Sequence, residues 1–334
     1  MRITTRFSEG YGLRIPIVQA GMAFVASAPD LAVAVGNAGA MGALGVGLMP
    51  APEVAATVAA IRAGTGGPFH VNLITPFATD AHVDVLCGAA VPAVSFHWGH
   101  PPRRWIDRLH DAGIRVFEQV GTVDDGRRAA GDGVDVIVAQ GLEAGGHSLA
   151  TLPTFVLVPL MADAVAPAMV LAAGGIADGR GLAAALMLGA DGVWIGTRLV
   201  ATGESGAHDG YKRRLVAAPA TATVRTSLFG PETPDFNPMR VLRNRVTDEH
   251  PDGGGDRPVI GHTVLGGRDI ELRRYTDVVP VRGATTGDLD EMPLLSGQGV
   301  GLIDAVKDAA TVIADMTAGA ITMLNRHHTL GRTS

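Results

Sequence analysis

The sequence predicts an α/β fold: a closed (β/α)8 barrel of the TIM type, with an extended insertion or small cap and a C-terminal helix. Three observations predict it. Short apolar runs of β type alternate with Ala-rich helical stretches, the pattern of a parallel sheet. The alternation repeats eight times within about 215 residues, the number a closed barrel requires, whereas a doubly wound open sheet usually has fewer strands. The 45 glycines of the 334 residues fall at strand–helix junctions and not in a low-complexity tract.

The strands are expected at 15–19, 41–45, 70–73, 93–96, 115–119, 136–140, 169–173 and 192–195, each a short apolar run closed by glycine or polar residues. Between them the helices are expected at 28–37, 52–62, 80–87, 102–111, 123–130, 154–165 and 179–188, with an eighth at 205–217. After Ala218 the texture changes. Residues 221–282 are rich in Pro, Gly and charge and show little periodicity, which reads as an insertion or cap. Residues 299–326 are helical again, with Leu302, Val306, Ala309, Ile313 and Met316 at helical spacing, and are expected to fold back on the barrel. The expected division is thus a barrel over 1–220, a cap over 221–290 and a C-terminal helix over 291–334.

Composition narrows the function classes. With 47% hydrophobic but 4% aromatic residues, the core must be built of Ala, Val, Leu and Ile. A net charge of −6 argues against nucleic acid or an anionic membrane as partner. The single cysteine, Cys87, excludes an intramolecular disulfide and any multi-cysteine zinc site. No carboxylate–histidine cluster has metal-ligand spacing, and the His327-His328 pair reads as an unstructured tail. No apolar run reaches the roughly 18 residues of a membrane span, and no signal segment is evident, so a soluble, cytoplasmic protein is expected.

The chemistry points to strand ends. The sixth strand runs into Gln140, then through Glu143, Gly145 and Gly146 to His147. In a parallel barrel this is the end where reactions occur; glycines admit a ligand to the backbone, and an imidazole exchanges protons near neutral pH. The seventh strand runs into Gly174-Gly175 and the eighth into Gly196-Thr197, the two loops that bind phosphate in many barrels. The glycines between 36 and 47 lack the dinucleotide spacing. His97, between Phe96 and Trp98, lines the same pocket or is a hydrogen-bonded core histidine. His100 reads as surface, Glu143 as part of a strand-end network, Asp178 as a helix N-cap and Cys87 as an inert core thiol.

Residues 140–147, 172–178 and 188–198, with 16–22, 68–72, 95–99, 240–244 and Gly297-Gln298, resemble the nitronate monooxygenases, formerly called 2-nitropropane dioxygenases. Those are FMN-dependent (β/α)8 oxidoreductases, and the resemblance covers nearly the whole chain in order. It implies FMN as cofactor, with Ala20, Gly21 and Met22 beside the flavin ring and Asn72 and Gln140 bonded to the ring or ribityl chain. Gly145 and Gly146 would pack close to it. Gly174, Gly175, Gly196 and Thr197 would hold its phosphate, and Trp194 and Ile195 would be further cofactor-binding residues. His147 would be the catalytic base or the group that orients a nitronate, with His97 and Ser148 in the substrate pocket. The implied reaction is oxidation of alkyl nitronates or nitroalkanes with O2 to a carbonyl compound and nitrite. FMN-dependent enoyl-acyl-carrier-protein reductases share the Glu-Ala-Gly-Gly-His stretch, which keeps open an NAD(P)H-dependent reductase; a barrel that has lost catalysis and only binds is the third reading. Ser95-Phe-His-Trp-Gly99 favours the nitronate enzymes. Three departures bear on substrate: Ser148-Leu149 where Arg-Gly is usual, His70 for a usual Gly, and Leu294-Leu295-Ser296 where an aromatic is common. A homodimer stays open.

Overall fold

The structure, a computed structural model, describes residues 1–328; the side chains of His327 and His328 lie outside the described residues. Six parallel strands come first: β1 (Ile17–Gln19), β2 (Gly42–Gly45), β3 (Phe69–Ile74), β4 (Ala93–His97), β5 (Arg115–Val120) and β6 (Val136–Gln140). After a two-residue strand, β7 (Gly146–His147), the barrel resumes with β8 (Met169–Ala173) and β9 (Gly192–Ile195). The ring order is β1-β9-β8-β6-β5-β4-β3-β2. It closes where Met41 bridges Val18, with Gln19 N donating to Met41 O (2.9 Å) and Met41 N to Ile17 O (3.0 Å). The expected (β/α)8 barrel is therefore the fold, and all eight predicted strands lie on the ring.

Burial on both faces explains why these strands read as continuous apolar runs: β2 and β6 are buried at every residue. Inward side chains, among them Val18, Phe117, Leu171 and Trp194, fill the barrel. Its lower end is plugged by α1 (Arg6–Gly10), whose Phe7 meets Phe117 at 6.0 Å between ring centroids and Tyr11 at 4.6 Å. Arg6 fixes this plug through two bonds of 2.8 Å to the Asp191 carboxylate.

The outer ring holds α2 (Pro29–Asn37), α3 (Ala51–Gly64), α4 (Asp80–Ala89), α5 (Arg103–Asp111), α6 (Val123–Gly131), α7 (Thr154–Val165) and α8 (Gly179–Met187). The eighth place departs from expectation. After β9 come a one-turn α9 (Thr197–Val200) and α10 (Asp209–Ala217), and α10 packs through Tyr211 and Leu215 against Val279, Leu294 and Val300, away from the ring. The missing stave is the last helix, α12 (Ala309–His328), which lies against α8 and α2. Its Val312, Ile313, Met316 and Ala320 join the outer core. Contact with α8 is backbone to backbone: a Cβ at Gly179 would stand 2.4 Å from Ala320 N. The continuous helix expected over 299–326 is also corrected. Gln298–Leu302 is a separate 3-10 turn, and α12 starts only at Ala309.

Residues 221–282, read as unperiodic, contain strands. β10 (Thr223–Thr226) and β11 (Met239–Leu242) pair with each other, and β11 also pairs with β7. Beyond α11 (Arg245–Glu249), β12 (Val259–Leu265) pairs with β13 (Arg268–Arg273) and β14 (Thr285–Gly287). β12 is illegible because its buried face is not apolar: its buried residues are Gly261 and Thr263, while Val264 is exposed; β10 and β11 are only four residues each, too short for a period. No helix among the described residues is long and apolar enough to cross a membrane.

Candidate active site

At the C-terminal end of the barrel strands lies a cavity of about 410 Å3. Ala20, Gly21 and Met22 reach it from β1, Asn72 from β3, His97 from β4 and Gln140 from β6. Gly145, Gly146 and His147 line it from the loop after β6, Gly174 and Gly175 from the turn after β8, and Trp194, Gly196 and Thr197 from β9. Two candidates lie elsewhere. Ile195 points outward into the helix-facing core, and Ser148 is buried with its N donating to Pro238 O (3.1 Å) and its Oγ accepting from Ala150 N (3.2 Å). Strand alternation explains the first: Trp194 faces in, so Ile195 must face out.

His147 sits on β7, and its surroundings come from the cap. Its Nδ1 bonds the Phe236 carbonyl. A carbonyl only accepts, so Nδ1 carries the hydrogen and Nε2 keeps its lone pair. No described residue bonds Nε2. Phe236 also lies on the imidazole (ring centroids 3.7 Å apart), Trp98 meets it at 5.7 Å, and Trp98 Nε1 donates to Asp235 O (2.9 Å). Trp98 has φ +63°, a costly conformation for a large residue, which turns its ring toward this cluster. Burial pushes the His147 imidazole down to about 4, partly offset by the bond to Phe236. His97 falls to about 3, from burial and then repulsion by His147; Gln119 Nε2 donates to its Nδ1 (2.8 Å). Both rings are thus neutral at pH 7.

The loop carrying His147 is clamped. Gln140 Nε2 donates to His147 O (3.1 Å), Arg225 to Ser148 O (2.8 Å), and the buried Arg240 to Leu142 O through two nitrogens (3.1 and 3.2 Å). Glu143 accepts from Thr154 N and Oγ1 at 2.8 and 2.9 Å, the strand-end role expected of it. Asp178 caps α8 as expected, accepting from Arg180 N and Gly181 N. His100 is not a surface residue: its Nδ1 lies 2.7 Å from the buried Glu118 carboxylate. Cys87 is only partly buried, and burial raises its thiol.

The far end of the cavity is built of backbone. Gly174 and Gly175 have φ +109° and +72°. The N–H groups of Gly175, Ile176, Thr197 and Arg198 have no partner among the described residues. Such a cluster of free donors suits a phosphate. Gly21, Gly145 and Gly299 leave no room for side chains: Cβ atoms there would stand 2.1 Å from Asn72 Cγ, 2.4 Å from Gly297 N and 2.9 Å from Gly175 O. Leu295, expected to bear on substrate, lines the cavity, whereas sequence reasoning missed the cap residues that complete the site, chiefly Phe236 and Asp277. Nothing local marks them, since each meets the cavity only through the folding of the cap.

Fold and site together define a barrel oxidoreductase with a nucleotide-sized cavity and a buried imidazole. The family model for nitronate monooxygenase matches residues 6–83 and 74–319, and the chain belongs to that family. Over 97% of its length the chain is 33% identical to 98% of a Mycobacterium tuberculosis protein, (3aS,4S,5R,7aS)-5-hydroxy-7a-methyl-1-oxo-octahydro-1H-indene-4-carboxyl-CoA dehydrogenase. Its structure resembles FabK from Thermotoga maritima (TM-score 0.81, 32% identity, 98% of this chain and 99% of that one). It also resembles nitroalkane oxidase from Streptomyces ansochromogenes (TM-score 0.77, 29% identity, 94% and 98%).

Proposed function

We propose that this chain binds FMN and oxidises alkyl nitronates with O2 to a carbonyl compound and nitrite. One observation carries the reading: a neutral imidazole of fixed tautomer, His147, lines the cavity together with Gln140, His97 and the glycine-walled end, and its Nε2 is bonded to no described residue. The residues fit FMN: the free N–H groups of Gly175, Ile176, Thr197 and Arg198 would hold its phosphate, and Gly21, Asn72 and Gly145 would hold its ring. When bound, FMN supplies the electron acceptor that passes electrons to O2.

The residues act around it. A base held down to about 4 is a weak one, so the favoured substrate is a preformed nitronate rather than the neutral nitroalkane. An anion beside Nε2 favours the imidazolium, so His147 takes up a proton as the nitronate binds and becomes a donor to its oxygens. Phe236 holds the ring in place while this happens. Phe77, Phe236 and Leu295 keep the substrate carbon in an apolar wall.

A second reading, oxidoreduction of an acyl thioester, draws support from the full-length likeness to a protein named as a carboxyl-CoA dehydrogenase. Anaerobic mixing of the FMN-loaded protein separates the two. Bleaching of flavin absorbance by an alkyl nitronate, with none by NAD(P)H, is expected. Reduction by NAD(P)H and inertness to nitronates would transfer the activity to thioesters.

A further inference from the structure

Beneath the cavity, inside the barrel, a run of polar groups has a direction. His70 is fully buried and lies 4.6 Å from the Trp194 ring, stacked on it. Its Nε2 is 2.9 Å from Gln19 O and its Nδ1 2.9 Å from Ser95 Oγ. Gln19 O can only accept, so Nε2 bears the hydrogen and, in the neutral ring, Nδ1 accepts. The Ser95 hydroxyl must then donate to His70, which leaves its oxygen to accept from Asn72 Nδ2 (2.8 Å). A second acceptor, the Ser95 carbonyl at 3.4 Å, also demands the nitrogen on that side of the Asn72 amide. Gln19 itself is locked by Ala43, donating to its O (2.9 Å) and accepting from its N (3.1 Å). Each link fixes the next, and the last atom is Asn72 Oδ1, which has no described partner and lies next to Gly21 at the cavity wall.

We propose that His70 and Ser95 are positioning residues: they orient Asn72 so that its carbonyl oxygen, and not its NH2, is the acceptor offered to an N–H of the isoalloxazine ring. The inference rests on the FMN reading. It gives a purpose to an imidazole at a position where the resembling family usually has glycine. Burial lowers that imidazole to about 4, so the direction of the chain holds at pH 7. Among the described residues no charged group bonds His70: its ring neighbours are Phe117 and Trp194, and its bonds go to Gln19 and Ser95.

Two measurements test it. The first needs no flavin: 15N NMR of histidine-labelled protein should show His70 neutral at pH 7 as the Nε2–H tautomer, and an Nδ1–H tautomer or an imidazolium would overturn the chain. The second is FMN titration of apoprotein, read by the visible flavin band. Ser95→Ala and His70→Phe, which keeps the stack on Trp194, should each weaken FMN binding about tenfold, one lost hydrogen bond. The double variant should be no weaker than either, because both break one chain. If His70→Phe does not fold, Ser95→Ala with the tautomer decides. Unchanged affinity, or losses that add, would refute the coupling. Wild-type protein that never binds FMN would remove the flavin reading and, with it, the proposed role, whatever the tautomer.

Discussion

Protonation of His147 should be visible in the stability of the protein. Its folded value, about 4, lies below the ordinary 6.5 of an unfolded histidine. Between those values the unfolded chain binds the extra proton, so stability falls as pH drops. The contribution is complete above pH 6.5, shrinks through the window to pH 4 and changes no further below it. Over the whole window it amounts to about 3 kcal/mol, and between pH 7 and pH 5 to about 2 kcal/mol. His147→Gln removes the titration and keeps an N–H donor for the Phe236 carbonyl. Urea unfolding of apoprotein at pH 7 and pH 5 should therefore show the wild type losing about 2 kcal/mol more than the variant. His70, also buried and lowered, is common to both proteins and cancels, as does the larger part of the His97 shift, which burial sets; only the smaller part that comes from His147 differs. Equal losses would mean that His147 titrates like a free imidazole. The burial that keeps the ring wholly neutral at pH 7 in the proposed chemistry would then be gone.

The same variant should retain FMN but lose turnover at least a hundredfold, and near-normal rates would clear His147 of any role in catalysis. Nitronate binding at pH 7 should take up about one proton in the wild type and none in His147→Gln, as read by calorimetry in buffers of different ionisation enthalpy; equal uptake in both would locate the proton elsewhere. Gly175→Val should abolish FMN binding in a flavin fluorescence titration, because a β-branched residue strains at φ +72° and covers the free N–H groups; wild-type affinity would move the phosphate to another loop. Gly145→Ala puts a Cβ 2.4 Å from Gly297 N and should destabilise by about 1–3 kcal/mol in calorimetry, with no change in melting expected only if the two segments part easily. Arg240→Met frees the Leu142 carbonyl and should lower kcat about tenfold with little effect on KM; a pure KM effect would make Arg240 a substrate contact instead.

How far the sequence could be read follows from where information is local. Barrel strands are legible because burial on both faces makes them unbroken apolar runs such as 136–140, and α7 was expected with the bounds it has, 154–165. The glycines at 174–175 and 145–146 stand out because positive φ and close approach leave one residue type available. The partners of His147 were hidden. Phe236 lies 89 residues further along the chain, in a proline-flanked turn with no period to betray it. β7 has two residues, too few for any pattern, and exists only because β11 crosses beside it. The eighth helix was misplaced for a similar reason: α10 and α12 are both amphipathic, and only tertiary packing decides which of them completes the ring.

That late stave matters on the ribosome. Synthesis runs from the N-terminus at roughly 5–20 residues per second, so α12 emerges on the order of ten seconds after α10. Throughout that interval the flank between α2 and α8 is bare, and the cap must form on a barrel still open along one side. Translation that stalls before Ala309 leaves the flanks of α2 and α8 without the helix that packs on them, and Gly179 without Ala320 beside it, a bare surface a chaperone would grip.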